Sequence, residues 1–279
     1  MTRHLFDAWP RVAREASRAE RLAIFTDFDG TLAPIRRRAA EARLSARVRR
    51  ALERLTARGH LVAVISGRPL AELETKIGIA GVWYAGSHGY FLRAPDGAEL
   101  SLLRRDERRL IVRTTHRLTI ALEGMTGVLV EPKPGAIAIH YRAATPVMRK
   151  RVGGIVKRML GAIPGLRLFP GRMVWEILPA GPVDKYLASR FILLAARHRD
   201  ARPAVWSIYL GDDVSDERVF EKWRGVSVAV GRRPRTAAKF FVKSPAEVAE
   251  CLERLDFQVV QSTSRQRGDA ANAARIKPT

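Results

Sequence analysis

The chain has 279 residues, 47% of them hydrophobic, which fits one large globular domain or two modest ones; no apolar run approaches the roughly 18 residues of a membrane span, so we expect no membrane partner. The formal net charge of +22 rests on 50 basic residues, 41 of them Arg, spread along the chain without a recognisable nucleic-acid-binding motif, which disfavours nucleic-acid binding as the main role. Cys251 is the single cysteine, which excludes an intramolecular disulfide and, with no apolar signal segment near the N-terminus, predicts a cytoplasmic location.

The first thirty residues predict a helix and then a buried strand. Residues 1–21 read as a short amphipathic helix that is broken near Pro10. The apolar run at 22–25 predicts one buried strand, and Asp27 and Asp29 stand at its carboxyl end. Ligands of open α/β sheets bind beyond the carboxyl ends of the strands. Two carboxylates there can act as nucleophile and proton donor, although a simple Asp-Gly turn would have the same sequence.

A second predicted strand ends in a hydroxyl group. Ser45–Arg58 carries a helical apolar stripe, and Leu61–Ile65 is a continuous apolar run of the kind found in buried parallel strands. Ser66 follows at once, and Pro69 at a first helical position begins a helix over Leu70–Ile77. A hydroxyl at a helix N-terminus can hold a phosphate oxygen, but a plain helix cap explains Ser66 equally well.

A third short strand, Val82–Ala85, leads into a glycine-flanked histidine. The segment is Gly86-Ser87-His88-Gly89, and a lone His between glycines is usually a turn residue. Residues 91–103 then predict a hairpin around a Pro-Asp-Gly turn.

The middle of the chain changes character and predicts an inserted domain. A long Arg-rich helix is followed by two strands, a second helix and two more strands, which indicates an α+β layer inside the parallel sheet's connectivity. These elements are predicted at Leu103–Met125, Val128–Glu131, Ala136–Tyr141, Thr145–Leu160, Leu166–Phe169 and Met173–Leu178.

The α/β alternation resumes after residue 179. A helix over Val183–His198 carries Lys185 in its first turn, and a strand over Ala204–Leu210 ends directly before Asp212 and Asp213. A helix to Trp223, strands over Val226–Val230 and Phe240–Val242, and a helix over Pro245–Leu255 complete the pattern. We therefore expect a discontinuous core domain over 1–102 and 180–260, an inserted domain over 103–179, and a disordered tail over 261–279.

Groups of complementary chemistry recur at the predicted edge of the sheet: Asp27 with Asp29, Ser66, Lys185, and Asp212 with Asp213. A carboxylate about 4 Å from a phosphate charge costs roughly 4 kcal/mol per charge pair at an effective dielectric near 20, so a carboxylate nucleophile needs cations beside it. Lys185 can supply one, and a carboxylate cluster can hold Mg²⁺. A solvated helix N-terminus is the alternative explanation of Asp212 and Asp213.

The segment from Asp27 to Leu32 resembles the nucleophile motif of the haloacid dehalogenase (HAD) superfamily of phosphohydrolases. The resemblance implies a Rossmann-like core with a parallel sheet and a C2-type α+β cap. It implies that Asp27 attacks phosphorus, that Asp29 protonates the leaving oxygen, and that Ser66 and Lys185 bind the phosphoryl group. It further implies that Asp27, Asp212 and the Asp29 backbone carbonyl hold Mg²⁺. Asp213 and Asp216 would support these ligands without binding the ion directly.

Within that superfamily, residues 22–255 resemble the trehalose-6-phosphate phosphatases. The segment Gly211-Asp212-Asp213-Val214-Ser215-Asp216-Glu217 is close to their Gly-Asp-Asp-x-Thr-Asp-Glu, and Glu131-x-Lys133 followed by His140-Tyr141-Arg142 matches their cap motif. The resemblance implies hydrolysis of the small-molecule substrate trehalose 6-phosphate through an aspartyl-phosphate intermediate, with a cap that closes over the sugar. The residues expected to contact this substrate are Arg68, His88, Glu131, Lys133, Arg142 and Glu176.

Two positions depart from the family pattern. Tyr186 stands where a Gly usually follows the motif lysine, and Phe91 stands where a Glu is frequent. These departures leave the substrate open, and the alternative is a related sugar-phosphate phosphatase acting on sucrose phosphate or on mannosyl- or glucosyl-3-phosphoglycerate. The strongly basic composition keeps a more remote alternative, a basic nucleic-acid-binding protein on a vestigial HAD core.

Overall fold

The structure, a computed structural model, describes residues 2–36, 38–171, 173–199 and 205–257. The chain divides into two compact units, one formed by Met1–Glu99 with Asp184–Thr279 and the other by Leu100–Val183. The disordered tail predicted over 261–279 lies outside the described residues.

The strands of the described part are β1 (Arg3–His4), β2 (Arg21–Thr26), β3 (Leu61–Ile65), β4 (Val82–Gly86), β5 (Phe91–Arg93), β6 (Glu99–Ser101), β7 (Leu129–Lys133), β8 (Ala136–His140), β9 (Leu166–Gly171), β10 (Val174–Pro179), β11 (Val205–Gly211), β12 (Val226–Val230) and β13 (Phe240–Val242). The helices are α1 (Trp9–Ser17), α2 (Ala46–Ala57), α3 (Leu70–Ile77), α4 (Arg105–Ala121), α5 (Pro146–Gly161), α6 (Lys185–Arg199), α7 (Val214–Lys222) and α8 (245–257). Short 3-10 turns also form at Leu5–Ala8, Ala39–Glu41 and Ser87–Gly89.

A mostly parallel sheet is the centre of the first unit. Its strand order is β1-β13-β12-β11-β2-β3-β4-β5-β6. Along this order, each neighbouring pair from β1 as far as β4 is parallel. The β4–β5 pairing is antiparallel. This α/β architecture confirms the predicted fold class, and it places the carboxyl ends of β11, β2 and β3 side by side at one edge.

Helices pack on both faces of this sheet because alternate side chains of each strand point to opposite faces. On one face, Ile24 of β2 and Val64 of β3 belong to a buried cluster that includes residues of α1, α2, α3 and α8. On the other face, Phe25 of β2 meets Trp223, just after α7, with ring centroids 5.0 Å apart. Central strands that are buried on both faces read as continuous apolar runs, which is why they are recognisable in the sequence.

The N-terminal prediction was wrong in detail. Pro10 does not break a helix but lies in the first turn of α1, where its missing N–H costs nothing. The residues before it form β1 and a 3-10 turn instead of a helix, because β1 pairs with the distant β13. Pro69 likewise precedes α3 as its N-cap and is not its first helical residue.

The second unit is a four-stranded antiparallel sheet with two helices. Its strand order is β7-β8-β10-β9. Ile137 and Ile139 of β8 pack with Ile111 and Leu118 of α4 and with Val156 of α5 in its buried core. The opposite face of this sheet carries polar residues, which are described below.

Among the described residues, no helix has both the length and the apolar character needed to cross a membrane.

Candidate active site

The predicted catalytic groups meet at one edge of the parallel sheet. Asp27 follows β2, Ser66 follows β3, and Asp212 follows β11; β2 is hydrogen-bonded to both of the other strands. Lys185 begins α6. The parallel pairing therefore gathers side chains that are as far apart in sequence as 27 and 212.

Asp27 is a buried carboxylate held from two sides. Its Oδ1 accepts a hydrogen bond from the Phe28 backbone N at 2.6 Å, and its Oδ2 accepts one from Lys185 Nζ at 2.8 Å. Burial raises the pKa of Asp27 well above its usual value, and the ammonium of Lys185 opposes that rise. Only 5% of the residue is exposed, so Oδ2 faces a cation and very little water.

Lys185 is a buried cation shared between two acids. Its Nζ donates to Asp27 Oδ2 and, at 2.9 Å, to Asp216 Oδ1. Burial alone would lower the pKa of Lys185, but the two carboxylates outweigh it and hold the pKa above its usual value. The lysine is therefore an ammonium whose direction is set by Asp27 and Asp216.

Asp216 is held by two further donors. The hydroxyl of Tyr209 donates to Asp216 Oδ1 at 2.7 Å, and the backbone N of Asp213 donates to Asp216 Oδ2 at 2.9 Å. The second bond belongs to the capping box of α7, a pattern that Asp213 and Asp216 show in sequence by their spacing. The contact of Tyr209 with Asp216 could not be predicted in this way, because a Tyr within an apolar strand is usually a core residue.

Three carboxylates converge at the edge of the sheet. Ligand atoms of Asp27, Asp212 and Asp216 all lie within 4.8 Å of one another. Burial, and then the nearby charge of Asp216, raise the pKa of Asp212 to about 6. These three acids face the ammonium of Lys185, so a divalent cation would balance the charge of the cluster. Carboxylate oxygens are the ligands that Mg²⁺ prefers, and the donor set therefore fits this ion.

Asp212 is supported by neighbours on two loops. Thr31 Oγ1 donates to Asp212 Oδ1 at 3.1 Å. Arg233 donates to the backbone carbonyl of Asp212 and, at 3.2 Å, to Glu217. Neither Thr31 nor Arg233 was predicted to act on Asp212, because only the folded loops bring them to it.

Gly30 makes room for the Asp212 side chain. Its φ of +79° lies in the left-handed region, and a Cβ built on it would overlap the Asp212 carboxylate. The Asp-Gly pair that could have marked an ordinary turn thus allows the loop after β2 to approach the loop after β11 closely.

Asp29 lies apart from the three converging carboxylates. Both of its oxygens are bound by Arg68, with Nε to Oδ2 and Nη2 to Oδ1 each at 2.6 Å. Asp29 is 38% exposed by its side chain, whereas Arg68 is 7% exposed. The predicted proton donor is therefore a partly accessible carboxyl on a buried guanidinium.

Ser66 and His88 lie in two loops that are tied together by their backbones. Ser66 Oγ accepts a hydrogen bond from Arg68 N at 3.2 Å, and the His88 backbone N donates to the Ser66 carbonyl at 2.9 Å. Ser87 and His88 have φ values of 49° and 57°, an uncommon conformation for such residues. A Cβ at Gly67 would come within 2.8 Å of the His88 ring, so this ring lies directly over the loop after β3.

Glu131, Lys133 and Glu176, three of the residues predicted to contact a sugar, lie in the second unit. His140 Nε2 and Glu131 are 2.7 Å apart, and Lys133 Nζ donates to Glu176 at 2.9 Å. Glu131 and Glu176 both pair with Ala138 of the central strand β8, so they flank it on the same face of the sheet. The Glu131–His140 and Lys133–Glu176 pairs therefore line one face of the unit.

Arg142 also lies in the second unit, whereas Tyr186 and Phe91, which depart from the family pattern, lie in the first. Arg142 is exposed just beyond β8, and its carbonyl accepts a hydrogen bond from Arg149 at 3.1 Å. Tyr186 lies on α6 with its ring centroid 5.7 Å from Lys222 Nζ. Phe91 pairs with Gly86 across β5 and β4.

A cleft of about 590 Å³ opens in the second unit. Its lining includes His116, Ile120, Met125 and Leu129. None of the predicted site residues lines it.

Comparison with known proteins gives a consistent picture. Residues 25–246 match the family model described as trehalose-phosphatase. The trehalose-phosphate phosphatase of Mycobacterium avium (strain 104) is 38% identical over 252 residues, which cover 85% of this chain and 62% of that protein. The protein of the same name from Mycobacterium tuberculosis (strain ATCC 25618 / H37Rv) is 37% identical over 265 residues, covering 88% of this chain and 64% of that protein. The chain thus spans under two thirds of the length of these curated relatives.

Solved structures share the fold. The C-terminal domain of the Candida albicans trehalose-6-phosphate phosphatase superposes with a TM-score of 0.74 at 21% identity, covering 92% of this chain and 98% of that one. The Aspergillus fumigatus trehalose-6-phosphate phosphatase superposes with a TM-score of 0.58 at 25% identity, covering 92% of this chain and 99% of that one. At 21% identity the first likeness supports the architecture alone.

Proposed function

The chain belongs to the trehalose-phosphatase family, and we propose that it hydrolyses trehalose 6-phosphate to trehalose and inorganic phosphate. The observation that carries this proposal is the buried Asp27, whose Oδ2 faces Lys185 and lies beside Asp212. A carboxylate without a cation would repel a phosphate dianion, whereas this one is placed where the repulsion is offset.

In the first step, a carboxylate oxygen of Asp27 attacks phosphorus and the bond from phosphorus to the sugar oxygen breaks. Asp29 gives its carboxyl proton to that oxygen, so trehalose leaves as a neutral alcohol and Asp27 becomes an aspartyl phosphate. Lys185, already aligned by Asp216, stays beside the phosphoryl oxygens, and Ser66 donates a hydrogen bond to one of them.

In the second step, Asp29 is a carboxylate and takes a proton from water. The oxygen of that water attacks phosphorus, the bond from phosphorus to Asp27 breaks, and inorganic phosphate is released with both carboxyls restored. The two aspartates therefore have separate roles, which suits their different surroundings in the site.

Mg²⁺ is the proposed cofactor, held by Asp27, Asp212 and the Asp29 backbone carbonyl, and it would supply positive charge to the phosphoryl oxygens. Asp216 is a poorer ligand because its oxygens already accept bonds from Lys185, Tyr209 and Asp213. We assign Asp216 and Asp213 to holding the cluster in place.

Recognition of the disaccharide is proposed for Glu131, Lys133 and Glu176, with Arg142 and His88 as further contacts. A carboxylate or an ammonium can make several hydrogen bonds to hydroxyl groups at once. The hydrogen bond between His140 and Glu131 and the ion pair between Lys133 and Glu176 orient these groups on the second unit's sheet. The proposed location is the cytoplasm, where the buried thiol of Cys251 would remain reduced.

A phosphate-release screen tests this function. We expect hydrolysis of trehalose 6-phosphate in the presence of Mg²⁺, and loss of that activity in EDTA with recovery when Mg²⁺ is added back. Sucrose 6-phosphate and mannosyl- and glucosyl-3-phosphoglycerate complete the panel, with p-nitrophenyl phosphate as a generic ester. A clear preference for another sugar phosphate would replace the proposed substrate, and no activity on any ester would contradict the proposed chemistry.

The same screen on Glu131→Ala tests sugar recognition. Losing a charged hydrogen-bond partner costs about 1.5–3 kcal/mol, so we expect kcat/KM for trehalose 6-phosphate to fall on the order of 10- to 100-fold. Turnover of p-nitrophenyl phosphate should be unchanged. Glu123→Ala, an exposed glutamate of the same unit, is the matched control and should leave both substrates unaffected. Equal losses on both substrates in Glu131→Ala would contradict the assignment.

A further inference from the structure

Arg68 uses almost all of its hydrogen-bonding capacity on protein groups. Its Nε and Nη2 bind the two oxygens of Asp29, Nη2 also donates to the Ala39 carbonyl at 2.7 Å, and Nη1 donates to Glu72. A guanidinium has five N–H donors, and four are engaged in this way. The central carbon of the group also lies 5.3 Å from the ring centroid of Phe28.

This arrangement differs from that of an arginine that binds substrate phosphate. Such an arginine directs two parallel N–H donors at the anion. In Arg68 these two donors, on Nε and Nη2, are bound to the Asp29 carboxylate. With only 7% of its side chain exposed, Arg68 is also poorly placed to meet a ligand directly, whereas 38% of the Asp29 side chain is exposed.

We infer that Arg68 is a positioning residue that aims the Asp29 carboxyl at the sugar oxygen, and that it does not itself bind the phosphate. The inference rests on the proposed function, in which Asp29 gives a proton to that oxygen as the P–O bond breaks. The oxygen that carries the proton gives up its hydrogen bond from Arg68, and the other oxygen keeps its own. That remaining hydrogen bond limits the positions available to the carboxyl group.

Glu72 and Ala39 hold Arg68 itself in place. Glu72 is on α3, one helical turn beyond Arg68, and Ala39 lies in the segment that follows the β2 loop. The guanidinium is thereby anchored by two further elements besides Asp29. Lys at this position would keep the charge but lose the planar fork that binds two oxygens at once.

The dependence of the rate on the leaving group tests the inference. Trehalose 6-phosphate releases an alcohol that needs a proton, whereas p-nitrophenyl phosphate releases a phenolate that is stable as an anion. In Arg68→Gln and Arg68→Lys we expect kcat/KM for trehalose 6-phosphate to fall about 100-fold, the scale of a misplaced proton donor. The kcat/KM for p-nitrophenyl phosphate should change little, because this parameter reports steps only up to departure of the leaving group.

Inhibition by inorganic phosphate and a double variant complete the test. The inhibition constant for phosphate should be unchanged in both Arg68 variants, and Arg68→Gln should add little further loss in an Asp29→Asn background. Arg93→Gln is the matched control, because Arg93 also binds two acids, Glu74 and Glu99, but lies outside the site. It should keep wild-type rates on both substrates.

Several outcomes would overturn the inference. A parallel loss on both esters with weaker phosphate inhibition would mean that Arg68 binds the phosphate, and full activity on trehalose 6-phosphate would mean that it has no role. Thermal unfolding shows whether the variants are folded, and Arg68→Lys carries the test if Arg68→Gln is not. If the wild-type chain did not hydrolyse trehalose 6-phosphate at all, the proposed function would fail first, and that result would be visible before any variant was made.

Discussion

The side chains around Asp27 depend on one another for charge balance. Lys185 is 2% exposed and lies between Asp27 and Asp216, which are also buried. Two buried carboxylates with no cation between them are costly, because neither water nor a counter-charge would offset their repulsion. Lys185 therefore has a structural role as well as the proposed role in binding the phosphoryl group.

Replacing this lysine should affect stability as well as activity. We expect Lys185→Met to lose phosphatase activity and to lower the free energy of unfolding by about 3–5 kcal/mol, the usual cost of removing one partner of a buried ion pair. Urea denaturation in Mg²⁺-free buffer measures it. Lys150→Met, at an exposed lysine, should have no measurable effect on either property. A Lys185→Met protein as stable as wild type would show that the buried charges are not arranged as described.

The sequence identified most groups of this site but not the contacts that hold them. Asp27, Lys185 and Asp212 were predicted from their places at strand and helix ends. Tyr209 was missed because a Tyr within a strand is usually a core residue. Thr31 and Arg233 were missed because they are 181 and 21 positions away from Asp212 in the sequence. Only the folded loops bring them within hydrogen-bonding distance of it.

The loops at the carboxyl edge of the sheet determine how closely the acids approach one another. The loop after β2 turns at Gly30, and the side chain of Asp212 occupies the space where a Cβ would be. This close contact between two loops is possible only with glycine, because the residue has a positive φ and the space beside it is filled.

Two alanine substitutions separate the effect of a positive φ from the effect of the filled space beside the residue. Gly30→Ala should displace Asp212 and reduce activity at least about tenfold, with a higher Mg²⁺ concentration needed for half-maximal rate. Gly97→Ala has a similar φ of +85° but nothing within 4 Å of the added Cβ, so it should cost about 1 kcal/mol of stability without loss of activity. Activity measured against Mg²⁺ concentration checks both. Equal activity of the two variants would contradict the role given to Gly30.

Central strands were easier to predict than elements defined by distant partners. Leu61–Ile65, Val226–Val230 and Phe240–Val242 were predicted with the bounds that the structure has, because a strand buried on both faces is a continuous apolar run. The two-residue β1 has no such pattern and exists through its pairing with β13. The helix predicted over Leu103–Met125 ends earlier, at Ala121, shortly before the left-handed Gly124.

At the scale of the whole molecule, the net charge of +22 is the feature that the proposed chemistry does not require. In the proposed mechanism, Lys185 and a divalent cation supply the positive charge beside the phosphoryl group. The acidic cluster of Asp27, Asp212 and Asp216 would repel a polyanion, so an interaction with nucleic acid would have to involve other surfaces.

We therefore expect any binding of DNA to be non-specific. Retention on duplex DNA should fall steeply as salt rises from about 50 to 200 mM, as counterion release requires, and should not depend on base sequence. Added DNA should leave hydrolysis of trehalose 6-phosphate unchanged at physiological ionic strength. Sequence-dependent binding that survives high salt, in a protein without phosphatase activity, would favour the vestigial-core alternative.

In the proposed mechanism, Asp27 becomes covalently phosphorylated. Borohydride reduces an acyl phosphate to an alcohol, so rapid quenching of the wild-type protein with substrate and Mg²⁺, followed by borohydride and peptide mass spectrometry, locates the intermediate. We predict conversion of Asp27 to homoserine, which is lost without Mg²⁺ and in Asp27→Asn. Phosphate release with no modification at Asp27, or with modification at another carboxylate, would contradict the account.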